Sequence, residues 1–321
     1  MRTLFENRAS VVLYNFLSSN NISGKFLIPA NVCPVVPLTF IKARIPFELV
    51  DISMADLCMQ QNQVLSLLGK APSYCGVLFV RTYGSIRPLR SFFLKIKETF
   101  PDAIVIDDRC QADPEFTIPS MDGSDLILFS TGYSKYIDIN WGGFGFMSEK
   151  FKYQRNLLPF KEQDLVSLNN YLKEAIAKKS LTHHLEDFHW MDTSFPRKNF
   201  SDYKTMVLNK KKLTYKHKTM INSYYRKNLP KEIQLADDFQ HWRFNILVKN
   251  KDELLKKIFD SNLFASSHFA SLAGIISPGK AENAEKFHSE VINLFNDFYF
   301  DMNKAEMITD IILEHISNTK S

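Results

Sequence analysis

Residues with complementary chemistry lie close together between positions 105 and 143. Asp107 and Asp108 end an apolar run, Lys135 follows 27 positions after Asp108, and Gly142-Gly143 comes just beyond it. An amine can bind the aldehyde of pyridoxal 5'-phosphate (PLP), a carboxylate can pair with its pyridine nitrogen, and hydroxyl and backbone N–H groups can bind its phosphate. Because this region supplies all three kinds of group, the sequence predicts a PLP site.

Lys135 is the candidate for the Schiff-base lysine. Its amine would bind the cofactor aldehyde and then act as acid and base at the substrate α-carbon. The alternative is a solvated surface lysine, one of many in a chain with 40 Lys and Arg residues. The neighbouring acidic and glycine residues favour the catalytic interpretation.

Two adjacent carboxylates compete for the role at the pyridine nitrogen. Side chains alternate along a strand, so only one of Asp107 and Asp108 can face the ring. Asp108 is the candidate and Asp107 its rival, while a turn carboxylate at a strand end is the alternative for either. Gln111 could donate a hydrogen bond to the ring hydroxyl, or it could be a polar residue at a helix start.

Two further residues are candidates for binding the phosphate. Ser130 lies five residues before Lys135, and its hydroxyl could donate to a phosphate oxygen. Arg8 precedes an apolar helical pattern that includes Val11 and Phe16, and a helix N-terminus attracts anions. The alternative for Arg8 is a solvated arginine.

The elements that position these residues alternate between strands and helices. Apolar runs without polar alternation are typical of strands buried on both faces, and strand–helix repetition indicates a mostly parallel sheet. Ligands bind beyond the carboxyl ends of such strands, where Gly84, Asp108 and Ser130 fall. The predicted strands are 26–28, 47–51, 76–81, 103–106 and 126–129, and the predicted helices are 35–43 and 89–100.

The pattern changes after about residue 160. Two strands and two helices near the C-terminus predict a small α+β domain. We therefore expect a large PLP-binding domain over residues 1–215 and a small C-terminal domain over residues 216–321. The predicted elements are helices 161–178, 204–228, 251–261 and 304–317, and strands 243–248 and 291–295.

Composition and charge restrict the class of protein. Of the 321 residues, 45% are hydrophobic and 23% charged, which is ordinary for a folded protein. A net charge of +5 suits a small anionic substrate and is too weak to indicate nucleic acid. Four cysteines without paired spacing predict reduced thiols, and no apolar run is long enough for a signal peptide or a membrane span. We expect a cytoplasmic protein without nucleic-acid or membrane partners.

Histidines 183, 184 and 189 invite a metal interpretation. The basic run of residues 209–212 with Lys216 and Lys218 invites an interpretation as a contact for nucleic acid or a diphosphate. The histidines lack the order of a zinc-binding His-Glu motif, so we expect an exposed loop and no metal. A lysine run on a helix with few interleaved aromatic residues is usually a solvated face.

Four parts of the sequence together resemble the DegT/DnrJ/EryC1/StrS family of fold-type-I PLP enzymes, often called sugar aminotransferases. They are similar to the family's phosphate-binding helix start, its "LPAYTCPS … PVFVDID" pair, its "VIEDAAQA" strand end and its "FSFxxxK" turn. The matching residues are 7–13, the pair 27–34 and 46–51, 105–112, and 129–135. Segments 243–247 and 283–295 resemble the family's C-terminal domain, so the resemblance spans nearly the whole chain.

The resemblance implies a fold-type-I α/β protein, with a mostly parallel seven-stranded sheet in the large domain and a small α+β domain. It also implies a homodimer with active sites at the subunit interface. The site roles that it implies are the Schiff base at Lys135, the ring-nitrogen contact at Asp108, the ring-hydroxyl contact at Gln111, and phosphate contacts at Ser130, Arg8 and Ala9.

The implied activity is transfer of an amino group from a donor such as glutamate to a keto group on a nucleotide sugar, for surface polysaccharide biosynthesis. Other PLP chemistry (a dehydratase, epimerase or lyase) is one alternative, and a non-catalytic relative that kept the fold is another. Arg81 and Arg243 are candidates for the arginine that binds the donor carboxylate.

The chain also departs from the family pattern. Asn7 replaces the usual glycine, Trp141 replaces an acid before the glycine pair, and Cys33 occupies a position where many members place an aromatic ring over the cofactor. We expect weaker stacking at Cys33 and weaker PLP retention. Members usually carry some tens of residues before the phosphate-binding helix, so we expect a different active-site mouth here.

Overall fold

The protein was analysed as a computed structural model that describes residues 1–70, 72–118, 120 and 122–320. A seven-stranded sheet organises the first half of the chain, with the strand order β1-β7-β6-β5-β4-β2-β3. Strand β7 runs antiparallel to both of its neighbours, and the other pairs are parallel. The strands are β1 (Arg2–Glu6), β2 (Lys25–Pro29), β3 (Phe47–Val50), β4 (Tyr74–Val80), β5 (Ile104–Asp108), β6 (Leu126–Ser130) and β7 (Gly143–Met147).

Helices cover both faces of this sheet, which explains the unalternated apolar strands. In β4, Leu78 and Val80 pack into the core beneath α1 and α2, while Val77 and Phe79 pack into the core beneath α3 and α4. The prediction of a mostly parallel sheet with buried strands is therefore confirmed. The helices are α1 (Ala9–Ser19), α2 (Val35–Lys42), α3 (Gln61–Leu68) and α4 (Arg90–Thr99).

The second half of the chain has its own smaller sheet, with the strand order β8-β10-β9. Its three strands pair antiparallel, and helices α7 and α9 pack on them with α6. The predicted domain boundary at residue 215 falls inside the single helix α6, and it stays a prediction. The elements are α5 (Glu162–Lys178), α6 (Phe200–Asn228), β8 (Phe244–Leu247), α7 (Lys251–Asp260), β9 (Ala265–Ser266), α8 (Glu282–Glu290), β10 (Val291–Leu294) and α9 (Met302–Lys320).

The sequence patterns missed several short or atypical elements. Strand β7 has the sequence Gly-Phe-Gly-Phe-Met, whose glycines suggest a loop, and β1 is short and begins with polar residues. In the C-terminal region we expected two strands and two helices, whereas the structure has three of each among its described residues. Tertiary pairing decides these elements, because neither a two-residue strand nor a glycine-rich strand has a periodic signal of its own.

A carboxylate of the large sheet caps a helix that packs beside the small sheet. Asp51, just after β3, accepts hydrogen bonds from the backbone N–H groups of Asn283 and Ala284, both at 3.0 Å. These N–H groups belong to the first turn of α8, which has no partner for them within the helix. The Arg87–Asp238 ion pair, at 2.8 Å, is a second link between the two halves.

Gly143 allows α1 to begin directly against β7. A Cβ atom built on Gly143 would lie 1.9 Å from the backbone nitrogen of Ala9 and 2.4 Å from its Cα. The atoms in the way are backbone, so a side-chain rotation cannot relieve the overlap. The second glycine of the pair therefore fixes where the N-terminus of α1, with Arg8 at its cap, meets the sheet.

We expect Gly143→Ala to lower the free energy of unfolding by about 3 kcal/mol, since it overpacks backbone against backbone. Gly69→Ala is the matched control, because a Cβ there would have no contact closer than 3.4 Å. Urea denaturation of both variants measures the difference. Equal stability of the two variants would contradict this account of the α1–β7 contact.

Candidate active site

The candidate site lies at the carboxyl ends of β5 and β6, the edge of a parallel sheet where ligands bind. Asp108 is the last residue of β5 and Ser130 the last of β6. The two strands are neighbours, with Asp108 opposite Leu128 in the register. The turn that carries Lys135 follows directly after Ser130, so the topology brings the predicted acid and the predicted amine to one edge.

Asp108 is a buried carboxylate close to Lys135. It is 6% exposed, and it accepts a hydrogen bond from the backbone N–H of Cys110 at 2.8 Å. Burial raises the pKa of Asp108, while the hydrogen bonds from Cys110 and the positive charge of Lys135 lower it. A carboxylate in this setting can pair with a cationic ring nitrogen that replaces the missing solvent.

Asp107 is committed to two arginines. It is fully buried, and Arg81 binds it in a fork, with Nε at 2.9 Å from Oδ1 and Nη2 at 2.9 Å from Oδ2. Arg109 adds a third contact, Nε to Oδ2, at 2.7 Å. Of the two adjacent acids, Asp108 is therefore the one without an arginine partner in the described chain, which favours it over its rival. Arg81 is correspondingly occupied and is a poor candidate for binding a donor carboxylate.

Lys135 sits in a turn that is held by its own backbone. Its N–H donates to the carbonyl of Gly132 at 3.2 Å, and the N–H of Ser134 donates to Oδ2 of Asp138 at 2.8 Å. Ser134 has a φ of +58°, which turns the chain sharply before the lysine. The side chain is half-buried, and no described residue accepts a hydrogen bond from its amine. That amine is thus free to react with a carbonyl.

The base of the turn is tied to the glycine pair. Thr131 N–H donates to the carbonyl of Gly142 at 3.0 Å, and its hydroxyl donates to the carbonyl of Trp141 at 2.7 Å. Trp141 stands where we expected the family's acid, and its ring packs 5.4 Å from that of Tyr203. The departure therefore places an aromatic packing contact beside the turn.

Gln111 is buried and oriented by the backbone after β4. Its Oε1 accepts a hydrogen bond from the N–H of Tyr83 at 3.0 Å, so its NH₂ group is the end left to donate. Tyr83 has a φ of +56° and Gly84 a φ of +77°. A Cβ on Gly84 would lie 2.6 Å from the carbonyl oxygen of Gln111, so a glycine is needed at this close approach.

Arg8 and Ser130 flank the space above Gly132. A Cβ built on Gly132 would lie 3.0 Å from Nη1 of Arg8 and 3.6 Å from Oγ of Ser130. Arg8 is the N-cap of α1 and donates to the carbonyl of Asn140 at 3.0 Å, while Ala9 begins the helix. A guanidinium and a hydroxyl beside a position without a side chain, close to where a helix begins, form a set that suits a phosphate.

Cys33 lies in the turn between β2 and α2, where its carbonyl accepts from Val36 N–H at 2.9 Å. It is half-buried and close enough to Cys110 to raise the pKa of that thiol, although burial is the main cause of the shift. The thiol is therefore near the Asp108 end of the site, and its contact with the cofactor stays a prediction. Both cysteines are free thiols.

Arg243 and His268 extend the site from the small sheet. Arg243 is 4% exposed and donates to the hydroxyls of Ser134 and Ser266, and none of the ion pairs in the described chain involves it. Burial lowers its pKa to about 10, which leaves it charged at neutral pH. Burial also lowers the pKa of His268 to about 4, with Arg243 and Lys135 contributing, so this imidazole is neutral.

Sequence reasoning named Arg243 but missed His268. A histidine in the irregular segment between β9 and α8 has no periodic or motif signal. Its location depends on a hydrogen bond from its N–H to Oδ1 of Asn293 at 2.8 Å and on packing against Trp242, 5.8 Å between ring centroids. Both are contacts between distant parts of the chain.

The alternative sites have little structural support. His183 and His184 are exposed, and no group of three His, Cys, Asp or Glu side chains that could hold a metal occurs among the described residues. Within the same residues, none of the helices has the length and apolarity needed to cross a membrane. In the lysine run, Lys211 pairs with Asp113 at 2.8 Å, and Lys210 donates to the carbonyl of Asp138.

Comparisons with known proteins are informative only at the level of structure. No protein-family model matches the chain, and no curated protein matches its sequence. Solved structures do match: a DegT DnrJ EryC1 StrS aminotransferase from Brucella abortus is similar over 98% of this chain and 86% of its own, with 13% identity and a TM-score of 0.68.

Two further structures are similar in the same way. Helicobacter pylori PseC, described as an aminotransferase in pseudaminic acid biosynthesis, shares 12% identity over 98% of this chain and 86% of its own, with a TM-score of 0.69. DesI, solved in the presence of its TDP-sugar product, shares 13% identity over 97% of this chain and 80% of its own, with a TM-score of 0.71. The chain therefore has the fold of the PLP-dependent sugar aminotransferases, as its sequence resemblance predicted.

Proposed function

We propose that this chain is a PLP-dependent aminotransferase that transfers an amino group from an amino-acid donor to a keto group of a nucleotide sugar. The observation that carries the proposal is the pairing at the sheet edge. Asp108 and Lys135 lie within electrostatic range of each other, while the adjacent Asp107 is bound by Arg81 and Arg109. This is the arrangement needed to hold the two ends of one pyridine ring.

PLP, when bound, accepts the amino group and withdraws electrons from the substrate carbon. Asp108 would hold the ring nitrogen in its protonated state, and the NH₂ group of Gln111 would donate to the ring hydroxyl. Arg8, Ser130 and the first N–H groups of α1, at Ala9, would bind the phosphate. Cys33 would lie against the ring and contribute less stacking than an aromatic side chain would.

Lys135 has two tasks in this proposal. Its amine would hold the cofactor aldehyde in the resting enzyme. Once the donor's amine has displaced it there, the freed amine would move a proton between the donor's α-carbon and the C4′ carbon of the cofactor. Both tasks require an amine without competing partners, and no described residue accepts a hydrogen bond from Nζ. The turn fixed by Ser134 and Thr131 holds the amine at the sheet edge without engaging it.

Arg243 is the proposed site for the donor's carboxylate. It is buried, charged and without an acidic partner in the described chain, and it lies against Ser134, the residue before the catalytic lysine. The centroid of the Phe295 ring is 3.6 Å from its guanidinium carbon, which limits its motion. A guanidinium held in this way can bind a carboxylate in a fork.

The acceptor and the assembly are proposed from the structural neighbours. The DesI structure was solved with a TDP-sugar product, and the PseC description names a sugar biosynthesis. These two neighbours support a keto nucleotide sugar as the acceptor, with surface polysaccharide as the destination. We further propose a cytoplasmic homodimer whose active sites lie at the subunit interface.

The central experiment is a pair of half-reactions. Glutamate should convert the PLP-loaded protein to its pyridoxamine form, which changes the visible spectrum, and a keto nucleotide sugar from a panel should restore PLP. Consumption of substrate without the pyridoxamine form would indicate a lyase, epimerase or dehydratase instead. Failure to bind PLP would indicate a non-catalytic protein and overturn the proposal. Sedimentation at several concentrations tests the dimer.

We expect Lys135→Ala to abolish covalent attachment of PLP, because no other amine is proposed to reach the aldehyde. Borohydride reduction followed by mass spectrometry of peptides measures this, with Lys97→Ala, at the opposite edge of the sheet, as the control. Label that persists on the Lys135→Ala protein would mean that another lysine binds the cofactor.

Asp107→Asn and Asp108→Asn should separate stability from activity. We expect Asp108→Asn to reduce kcat by about 100-fold or more, since it removes the charge opposite the ring nitrogen. Asp107→Asn should instead destabilise the fold by about 3 kcal/mol, because it removes the counter-charge of Arg81 and leaves Arg109 only the more distant Glu115, at 3.7 Å. Steady-state kinetics and urea denaturation measure the two effects. The reverse assignment of effects would mean that Asp107 faces the cofactor.

Arg243→Gln should raise KM for the amino donor by about 10- to 100-fold, as expected for loss of a charged hydrogen-bonding pair. KM for the nucleotide sugar should change little. Arg87→Gln is the control, because Arg87 also lies between the two sheets but pairs with Asp238. Equal changes in both KM values, or no change in either, would argue against a donor-carboxylate site at Arg243.

A further inference from the structure

Lys218 is a buried cation in the interior between the two sheets. It lies on α6 and is 5% exposed. Its Nζ donates to the backbone carbonyl of Trp242 and to Oδ1 of Asn296, both at 2.7 Å. Trp242 precedes β8 and Asn296 follows β10, and these two antiparallel strands pair there, Phe244 with Leu294. This one ammonium therefore joins α6 to two neighbouring strands at one end of the small sheet.

The same lysine is connected to the turn that carries Lys135. The indole N–H of Trp242 donates to the carbonyl of Ser134 at 2.6 Å. The ammonium of Lys218 also lies 5.2 Å from the ring centroid of Tyr136. Lys218 therefore contacts the residue after the catalytic lysine directly and the residue before it through Trp242.

Trp242 also links this turn to the Gln111 side of the site. Its backbone N–H donates to the carbonyl of Tyr83 at 3.2 Å, and its ring stacks on that of Tyr83 at 6.0 Å and 8°. Tyr83 N–H donates in turn to Oε1 of Gln111. Displacement of Trp242 would therefore change the position of the turn that carries Lys135 and of the backbone that orients Gln111.

A contribution to folding stability does not explain why position 218 is a lysine. Burial of an ammonium is costly, and an apolar side chain of similar volume is often as stable or more so. None of the ion pairs in the described chain involves Lys218. Burial lowers its pKa to about 7, with Asp297 raising it and Arg243 lowering it.

We propose that Lys218 is a positioning residue that, through Trp242 and Tyr136, holds the 131–140 turn so that the Lys135 amine faces the cofactor. The cofactor part of this inference rests on the proposed function. The proposal that Lys218 holds the turn is independent of that function, because it rests on the contacts of Lys218 and Trp242 with Tyr136 and Ser134. The two can therefore be tested separately.

The experiment compares Lys218→Met with Lys97→Met in the full-length chain. Lys97 is also largely buried and also donates to a carbonyl, that of Ala103, but it lies at the opposite edge of the sheet. Hydrogen exchange is measured at the amides of Ser134, Lys135 and Ile139, which are hydrogen-bonded in the turn, in PLP-free protein. PLP dissociation and the pH titration of the visible band are then measured with PLP as the probe.

We expect exchange in the turn to increase about tenfold in Lys218→Met, the equivalent of one lost hydrogen bond, and to stay unchanged in Lys97→Met. The midpoint of the visible titration should shift only in the Lys218 variant. Lys218→Arg, which keeps the donors, should restore part of both effects. Unchanged exchange in Lys218→Met, or equal changes in the two methionine variants, would overturn the proposal.

Trp242→Phe keeps the inference testable if Lys218→Met does not fold. It removes the indole N–H that binds Ser134 and keeps an aromatic ring beside Tyr83, so turn exchange should again increase about tenfold. A turn as protected as in the wild type would overturn the proposal. A third outcome separates the two proposals. If the turn exchanges faster in the variant but the wild-type protein does not bind PLP, the proposed function is refuted and the positioning role of Lys218 is retained.

Discussion

The buried contact between Asp107 and two arginines is the constraint on which the candidate site depends. Asp107 has no access to solvent, and Arg81 and Arg109 supply its counter-charge from the end of β4 and from the residue after β5. Removing Asp107 would leave the two arginines, which are mostly buried, without the carboxylate that both of them contact. Because side chains alternate along a strand, fixing Asp107 on one face of β5 also fixes Asp108 on the other, toward Lys135.

A second constraint is the close approach of α1 to β7. Only a residue without a side chain permits it at Gly143, and the consequence is that Arg8 and the start of α1 stand beside Ser130. A third comes from α6 and the residues just before β8, where Lys218, Trp242 and Arg243 contact both neighbours of Lys135. Three parts of the chain distant in sequence thus meet around one turn.

Much of the fold could be predicted because several strands are continuous apolar runs and several helices have regular apolar spacing. The apolar runs of β4, β5 and β6 and the helical spacing of α4 follow from local sequence, and they place Asp108 and Ser130 at the sheet edge. Strands β1, β7 and β9 could not be predicted. Strand β1 begins and ends with charged residues, β7 is glycine-rich and β9 has only two residues, so they become strands only by pairing with neighbours. The charge partners of Asp107 could not be predicted either. Strand alternation predicts that the side chains of Asp107 and Asp108 point to opposite faces, but it does not predict which of the two pairs with arginines.

By itself, the sequence determined the kinds of chemistry available: a lysine, an acid at a strand end, a serine and a glycine pair at spacings that suit PLP. It also determined the mostly parallel sheet, because buried strands must be apolar on both faces. Only the tertiary structure decided that Asp107 is occupied, that Arg81 is unavailable for a substrate carboxylate and that Arg243 and His268 reach the site. Ion pairs and buried contacts between distant segments make these decisions, and such contacts have no signature in the local order of residues.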